Sequence, residues 1–235
     1  MISRRGPGSA PRVGDMRIVI AGGHGQIALR LERLLHARGD DVAGIIRTAE
    51  QAGDLLTAGA EPVVCDLESA SLDELAPHME GADAAVFAAG AGPGSGVARK
   101  DSVDRAACSL FADAAEAAGV RRFIVVSALG ARNAPAPRGS ASVFAAYLYA
   151  KAAADADVQA RAGLDWTILR PGQLTNGPGT GLVTLAESTG GGAVTRDDVA
   201  SVLAALLHEP GTAGQTLELI GGSVPVDKAV ASLVA

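Results

Sequence analysis

Tyr147 and Lys151 stand four residues apart in the alanine-rich run 145–162, a spacing that puts both side chains on one face of a helix. A lysine ammonium beside a phenol favours the phenolate, so the pair predicts a tyrosine tuned for proton transfer. The alternative is a tyrosine packed in the core and a lysine in solvent. A second group of interest is Gly22-Gly23-His24-Gly25-Gln26-Ile27-Ala28, with the spacing G-x-x-G-x-x-A. There Gly22 allows a tight turn, Gly25 lets the backbone approach a ligand, and Ala28 lets a helix pack close to a strand. The helix start at Gln26 and Ile27 offers free N–H groups, the chemistry of a phosphate cradle. His24 either touches phosphate or faces solvent.

Such a turn works only between a strand and a helix of one βαβ unit. The β-branched run Arg17–Ala21 precedes it. A helical period carrying Ile27, Leu31, Leu34 and Leu35 follows and stops at Gly39. The alternation continues with strands at 42–46, 62–65, 84–88, 123–126 and 166–169. Helices are predicted at 49–57, 72–75, 103–118 and 145–162. This pattern predicts an α/β fold with a doubly wound parallel sheet, a Rossmann fold. After Gly172 the texture loosens: 176–181 and 190–192 read as loops, 197–207 and 226–234 as helices, and 216–220 as a strand. The expectation is a flexible leader at 1–15 and a single domain over 16–235, in which 173–235 forms a small C-terminal lobe. Loops beyond the carboxyl ends of the strands are where a ligand should sit.

In that fold an acid ending the second strand would accept the ribose hydroxyls of NAD, whereas a guanidinium pairs with a 2′-phosphate. The second strand ends Ile46-Arg47, so NADP(H) is favoured over NAD(H), unless Arg47 is an ordinary surface charge. The net charge of −6 and the absence of a long basic run argue against nucleic acid. No uninterrupted apolar stretch would span a bilayer, and the first 15 residues lack a signal-peptide core. The two cysteines, Cys65 and Cys108, predict buried thiols and a cytoplasmic protein. No metal-ligand spacing occurs, so no metal is expected. Oligomeric state is not legible.

Taken together these residues resemble the short-chain dehydrogenase/reductase superfamily, in its atypical branch of NAD(P)-dependent epimerase/dehydratase-like and NmrA-like NAD(P)H-binding proteins. The resemblance runs from Met16 onward. It rests on the glycine turn, Ile46-Arg47, Cys65-Asp66-Leu67, Phe87–Gly90, Val103-Asp104-Arg105, Gly119–Ser127, Tyr147–Lys151, Leu164–Gly172 and Arg196–Ala200. It implies that Asp66 and Leu67 flank adenine, and that Ala88, Ala89 and Gly90 line the ribose and pyrophosphate. Pro171 would also border the cofactor, and Lys151 would reach the nicotinamide ribose. Tyr147, Lys151 and a serine would form the reactive centre. Asp104 falls where relatives often carry an asparagine; the alternative is a carboxylate favoured by a helix start.

One departure is notable. Family members commonly end the fifth strand with two serines, and this chain has Ser127-Ala128. Ser127 is expected to touch the nicotinamide side, with Ser140 or Ser142 as substitutes for the missing hydroxyl. The implied activity is an NADP(H)-dependent oxidoreductase acting on a small, weakly polar carbonyl, quinone or flavin-like substrate. A nucleotide-responsive binding protein without turnover and an epimerase/dehydratase are the alternatives. The substrate pocket is expected between 91–97, 133–142 and 174–185.

Overall fold

The computed structural model describes residue 14 and residues 16–92, 94–134 and 142–234; the predicted leader lies almost wholly outside them. β1 (Arg17–Ala21) runs into the glycine turn and α1 (Gln26–Ala37). β2 (Asp41–Ile46), α2 (Ala52–Ala58) and β3 (Glu61–Val64) follow, then α3 (Leu72–Leu75) and β4 (Ala84–Phe87). A helical stretch then starts as α4 (Val97–Arg99), passes through π-helical turns at Lys100–Ala106 and ends as α5 (Ala107–Ala117). It begins six residues earlier than the apolar period at Val103 indicated. β5 (Arg122–Val126), α6 (Val143–Gln159) and β6 (Asp165–Pro171) complete the first half.

Six strands pair in parallel in the order β3-β2-β1-β4-β5-β6. This is the doubly wound dinucleotide-binding arrangement, with its crevice where the order reverses between β1 and β4. Alternation along the strands assigns the two faces. Ile18, Ile20, Val86 and Ile124 enter one core with Leu31 and Leu35 of α1, whereas Val19, Ala21, Phe87 and Phe123 enter the other. Three of the four phenylalanines, Phe87, Phe111 and Phe123, stack in this second core at 5.9 and 5.7 Å between ring centroids.

After Gly172 come the strand expected at 216–220 and four strands that the sequence pattern did not reveal. β7 (Gln173–Thr175) and β9 (Ala193–Thr195) form a two-stranded parallel sheet. β8 (Leu182–Ala186), β10 (Gln215–Gly221) and β11 (Val224–Pro225) extend the main sheet beyond β6, and β8 runs antiparallel to both its neighbours. Val183 is fully buried in this extension, so β8 builds core as well as loop. α7 (Arg196–Leu207) and α8 (Val226–Ala231) join the core on the α1 face. Arg30 of α1 bonds Asp197 of α7, and Arg38 donates to the Ala204 carbonyl, which fixes the late helix against the phosphate-turn helix.

Candidate functional site

A cleft of about 1180 Å³ opens at the carboxyl ends of the strands, and it is lined by the glycine turn, Arg47, Asp66, Ala88, Tyr147 and Lys151, among others. That exceeds the roughly 300–1,000 Å³ usual for one small ligand, which leaves room for a dinucleotide and a second molecule.

The turn is built for close approach. Gly22 has φ +75°, and a Cβ there would stand 2.7 Å from the Ala89 Cα. The Gly25 N–H donates to the Gly22 carbonyl at 2.8 Å, closing the turn. Gly25 caps α1 without a side-chain hydrogen bond, and no acid occupies the first helical turn. The N–H groups that open a helix lack intrahelical partners, so here they are left for an anion from the cleft. His24 lines the cleft and pairs with Asp54 at 2.7 Å, and Gln51 lies 3.3 Å from its other ring nitrogen.

Beneath the turn lies a carboxyl that sequence reading missed. Glu32 of α1 is fully buried, and both its oxygens lack hydrogen-bond partners. Room for it comes from two glycines, since a Cβ on Gly44 would sit 2.7 Å from Glu32 Oε1 and one on Gly23 3.0 Å from it. Burial pushes the carboxyl up to about 8, against the opposing charge of Arg33. Its folded value is raised, so the stability of the neutral form is complete below the ordinary value of 4.5 and is lost as pH climbs towards 8. Glu32→Gln is therefore expected to gain on the wild type, by on the order of a few kcal/mol, between pH 5 and pH 8. Thermal melts across that range check it, and parallel stability profiles would show that Glu32 does not titrate there.

At one end of the cleft Arg47 is half exposed, with its guanidinium 3.9 Å from Glu68. Glu68 is tied more closely to Arg99, and it accepts from the Ser102 hydroxyl at 2.7 Å. The Arg99 hydrogen bond leads in holding the Glu68 carboxyl below its usual range, despite some burial. Asp66 and Leu67 line the same end, and Asp66 Oδ1 accepts from the Glu68 N–H at 3.1 Å. Neither Glu68 nor Arg99 was foreseen; both stand outside the motifs.

At the other end Tyr147 and Lys151 of α6 share the cleft wall with Asp104 and Ser127. Lys151 is buried, with its Nζ 3.3 Å from Asp104 Oδ1, and it donates to the carbonyls of Val126 (3.1 Å) and Ala89 (3.4 Å). Burial opposes the ammonium, but Asp104, Tyr147 and Cys108 outweigh it and raise Lys151 above its ordinary value. Asp104 is fully buried in the π-helical turns, far from a helix start, and its other oxygen accepts from the Ala91 N–H at 3.3 Å. The expected lowering of the phenol is corrected here: burial raises Tyr147 by more than Lys151 lowers it.

The Ser127 hydroxyl donates to Asp155 Oδ2 at 2.9 Å, and Arg170 bonds the same oxygen through Nε (2.9 Å) and Nη2 (2.8 Å). All three are buried. Burial raises Asp155 despite Arg170. The signal for Asp155 was present, because Tyr147, Lys151 and Asp155 repeat at a stride of four along one helix face. Ser142 caps α6, accepting from the Ala145 N–H at 3.1 Å, and Ser140 lies outside the described residues. Of the expected pocket walls, Ala91, Gly92, Gly94 and Ser95 line the cleft. From 174–185 only Leu174 does, and most of 133–142 is outside the described residues. Ala88, Ala89, Gly90 and Pro171 all border the cleft.

Among the described residues no cluster of three His, Cys, Asp or Glu side chains could hold a metal ion. No helix there is long and apolar enough to cross a membrane.

An uncapped helix start at the switch point of a 3-2-1-4-5-6 sheet, with a cleft roomy enough for two ligands, defines a dinucleotide-binding Rossmann protein. The chain belongs to the NAD(P)H-binding family whose pattern matches residues 22–210. It is 37% identical to a Bacillus subtilis protein described as an uncharacterized sugar epimerase, over 93% of this chain and 100% of that one. A Bacillus halodurans structure, provisionally named an NAD-dependent epimerase/dehydratase, superposes with a TM-score of 0.83 at 34% identity, covering 92% of this chain and 99% of that one. An oxidoreductase from Lactococcus lactis superposes at 0.81 with 26% identity, covering 93% and 97%.

Proposed function

We propose that this protein is an NADP(H)-dependent oxidoreductase that reduces a small carbonyl, quinone or flavin-like acceptor. The observation that carries this reading is a phenol, Tyr147, held protonated by burial on the cleft wall with Lys151 one turn further along. When NADPH is bound, its nicotinamide ring supplies the hydride. Tyr147 then gives its Oη proton to the acceptor oxygen, the role of a general acid. Lys151, fixed as an ammonium by Asp104, stabilises the phenolate left behind. The raised phenol favours reduction at neutral pH, and the reverse reaction, with Tyr147 as base, gains as pH rises. Gln26 and Ile27 would bind the pyrophosphate through their N–H groups, and Asp66 and Leu67 would flank the adenine. Ala88, Ala89, Gly90 and Pro171 would form the walls between. Ser127, with its proton committed to Asp155, would present lone pairs to the nicotinamide side.

Arg47 would pair with the 2′-phosphate, since only a long 3.9 Å approach ties it to Glu68. Arg47→Ala is expected to weaken NADPH binding roughly tenfold and NADH binding less than about twofold. Titration of both nucleotides checks this, and equal losses would remove Arg47 from phosphate recognition. Turnover is tested by following the reduced-cofactor absorbance with a panel of aldehydes, quinones and flavins. Tight NADPH binding with no oxidation on any of them would refute the reductase reading. A second reading, epimerisation with the hydride returned to the same molecule, is supported by the names of the two Bacillus relatives. It would leave no net oxidation.

A further inference from the structure

Among the described residues the cleft holds one buried lysine, Lys100, with no carboxylate in ion-pair reach. Lys100, the first residue of the π-helical turns, is 8% exposed and lines the cleft. Its Nζ donates to the Gly92 carbonyl at 2.9 Å and stands 5.2 Å from the centre of the Tyr147 ring. Two other cations of the cleft have a close carboxylate, Arg99 on Glu68 and Lys151 on Asp104, while Arg47 reaches Glu68 only at 3.9 Å. Arg196, at the rim, is bonded to the Asn176 side-chain oxygen. Among the described residues no carboxylate lies in ion-pair reach of Lys100.

A buried ammonium without a counter-charge costs several kcal/mol of desolvation. One carbonyl and one aromatic face satisfy it only in part, since an ammonium carries three donors. The walls beside it are apolar: Phe144 is 66% exposed with its ring 6.2 Å from that of Tyr147, and Val143 and Leu148 line the cleft as well. The phosphates of a dinucleotide belong at the start of α1, and Lys100 faces Tyr147 instead.

We infer that Lys100 is the subsite for a carboxylate on the substrate, an apolar, preferably aromatic molecule whose body rests on Phe144 and Tyr147. One ammonium matches one negative charge, so a monoanion fits better than a phosphate dianion. This replaces the weakly polar substrate expected from the sequence, because none of the stretches taken there as pocket walls contains Lys100. The inference rests on reading the Tyr147 side of the cleft as the acceptor site.

The test uses the full chain saturated with NADP+ and two probes of one shape, benzoate and benzamide, titrated by calorimetry. Benzoate is expected to bind at least tenfold more tightly. In Lys100→Met that preference should vanish while NADP+ affinity stays within about twofold, and Lys100→Arg should restore most of it. Equal binding of both probes to the wild type, or binding of neither, overturns the inference without needing a variant. A tenfold loss of NADP+ affinity in a folded Lys100→Met would assign the lysine to the nucleotide and overturn it too. NADPH oxidation with 4-carboxybenzaldehyde and its methyl ester separates the two readings. A benzoate preference without turnover of these aldehydes or of any quinone or flavin would leave Lys100 as an anion site and sink the reductase.

Discussion

Tyr147→Phe is expected to lower turnover by on the order of 100-fold or more, the usual scale of a lost general acid, with NADPH affinity almost unchanged. The ring would keep its place against Phe144 and beneath Lys100, because those contacts involve the aromatic face and not the hydroxyl. What disappears is the proton that burial keeps on the phenol at neutral pH. The pH profile gives a second readout. The wild type should lose reductive activity as Tyr147 ionises on the alkaline side of the ordinary phenol value, whereas the residual rate of the variant should be flat there. Unchanged turnover in Tyr147→Phe would take the tyrosine out of the mechanism.

The largest stability effect is expected at Arg170→Met. Arg170 and Asp155 are 5% and 1% exposed, and removing the guanidinium leaves a buried carboxylate with only the Ser127 hydroxyl as donor. Breaking a buried pair from one side costs roughly 3–5 kcal/mol. Removing both charges with Arg170→Met and Asp155→Leu should recover much of the loss, since an apolar replacement of a buried pair is often close to neutral. Urea midpoints for the two single variants and the double variant measure the coupling. A loss below about 1 kcal/mol in Arg170→Met would mean that Asp155 is neutral in the folded protein, or that its charge is balanced elsewhere.

The nucleotide half was legible because its signals are local. Strand, glycine turn and helix follow one another from Arg17 to Ala37, and the alternation that makes the sheet parallel repeats with a regular period. Of the late strands only β10 was legible, at 216–220. β7, β9 and β11 have three, three and two residues, too short for a period, and their pairings depend on chain brought from elsewhere. In the cleft, Tyr147 and Lys151 stood out by spacing, and Asp155 continues the same stride. Lys100 and Glu68 could not be found that way. The first is drawn over the Tyr147 ring by π-helical turns that carry no sequence periodicity, and the second gains its importance from Arg99, which lies 31 residues further along the chain. Glu32 was hidden for another reason: it is a charged residue type on the buried face of α1 beside Ala28, Leu31 and Leu35, and the missing side chains of Gly23 and Gly44 give it a place inside.

The π-helical turns at Lys100–Ala106 carry both Lys100 and Asp104, one facing the acceptor and the other holding the ammonium of Lys151. In an α-helix each residue advances the azimuth by about 100°, so loss of one residue from this stretch would swing everything before it around the axis and relax the wider turns. Lys100 would be carried off the ring of Tyr147 while the glycine turn, on a separate strand, stayed as it is. Chain length over this short span therefore sets where Lys100 stands over the Tyr147 ring, the geometry on which the proposed carboxylate subsite rests.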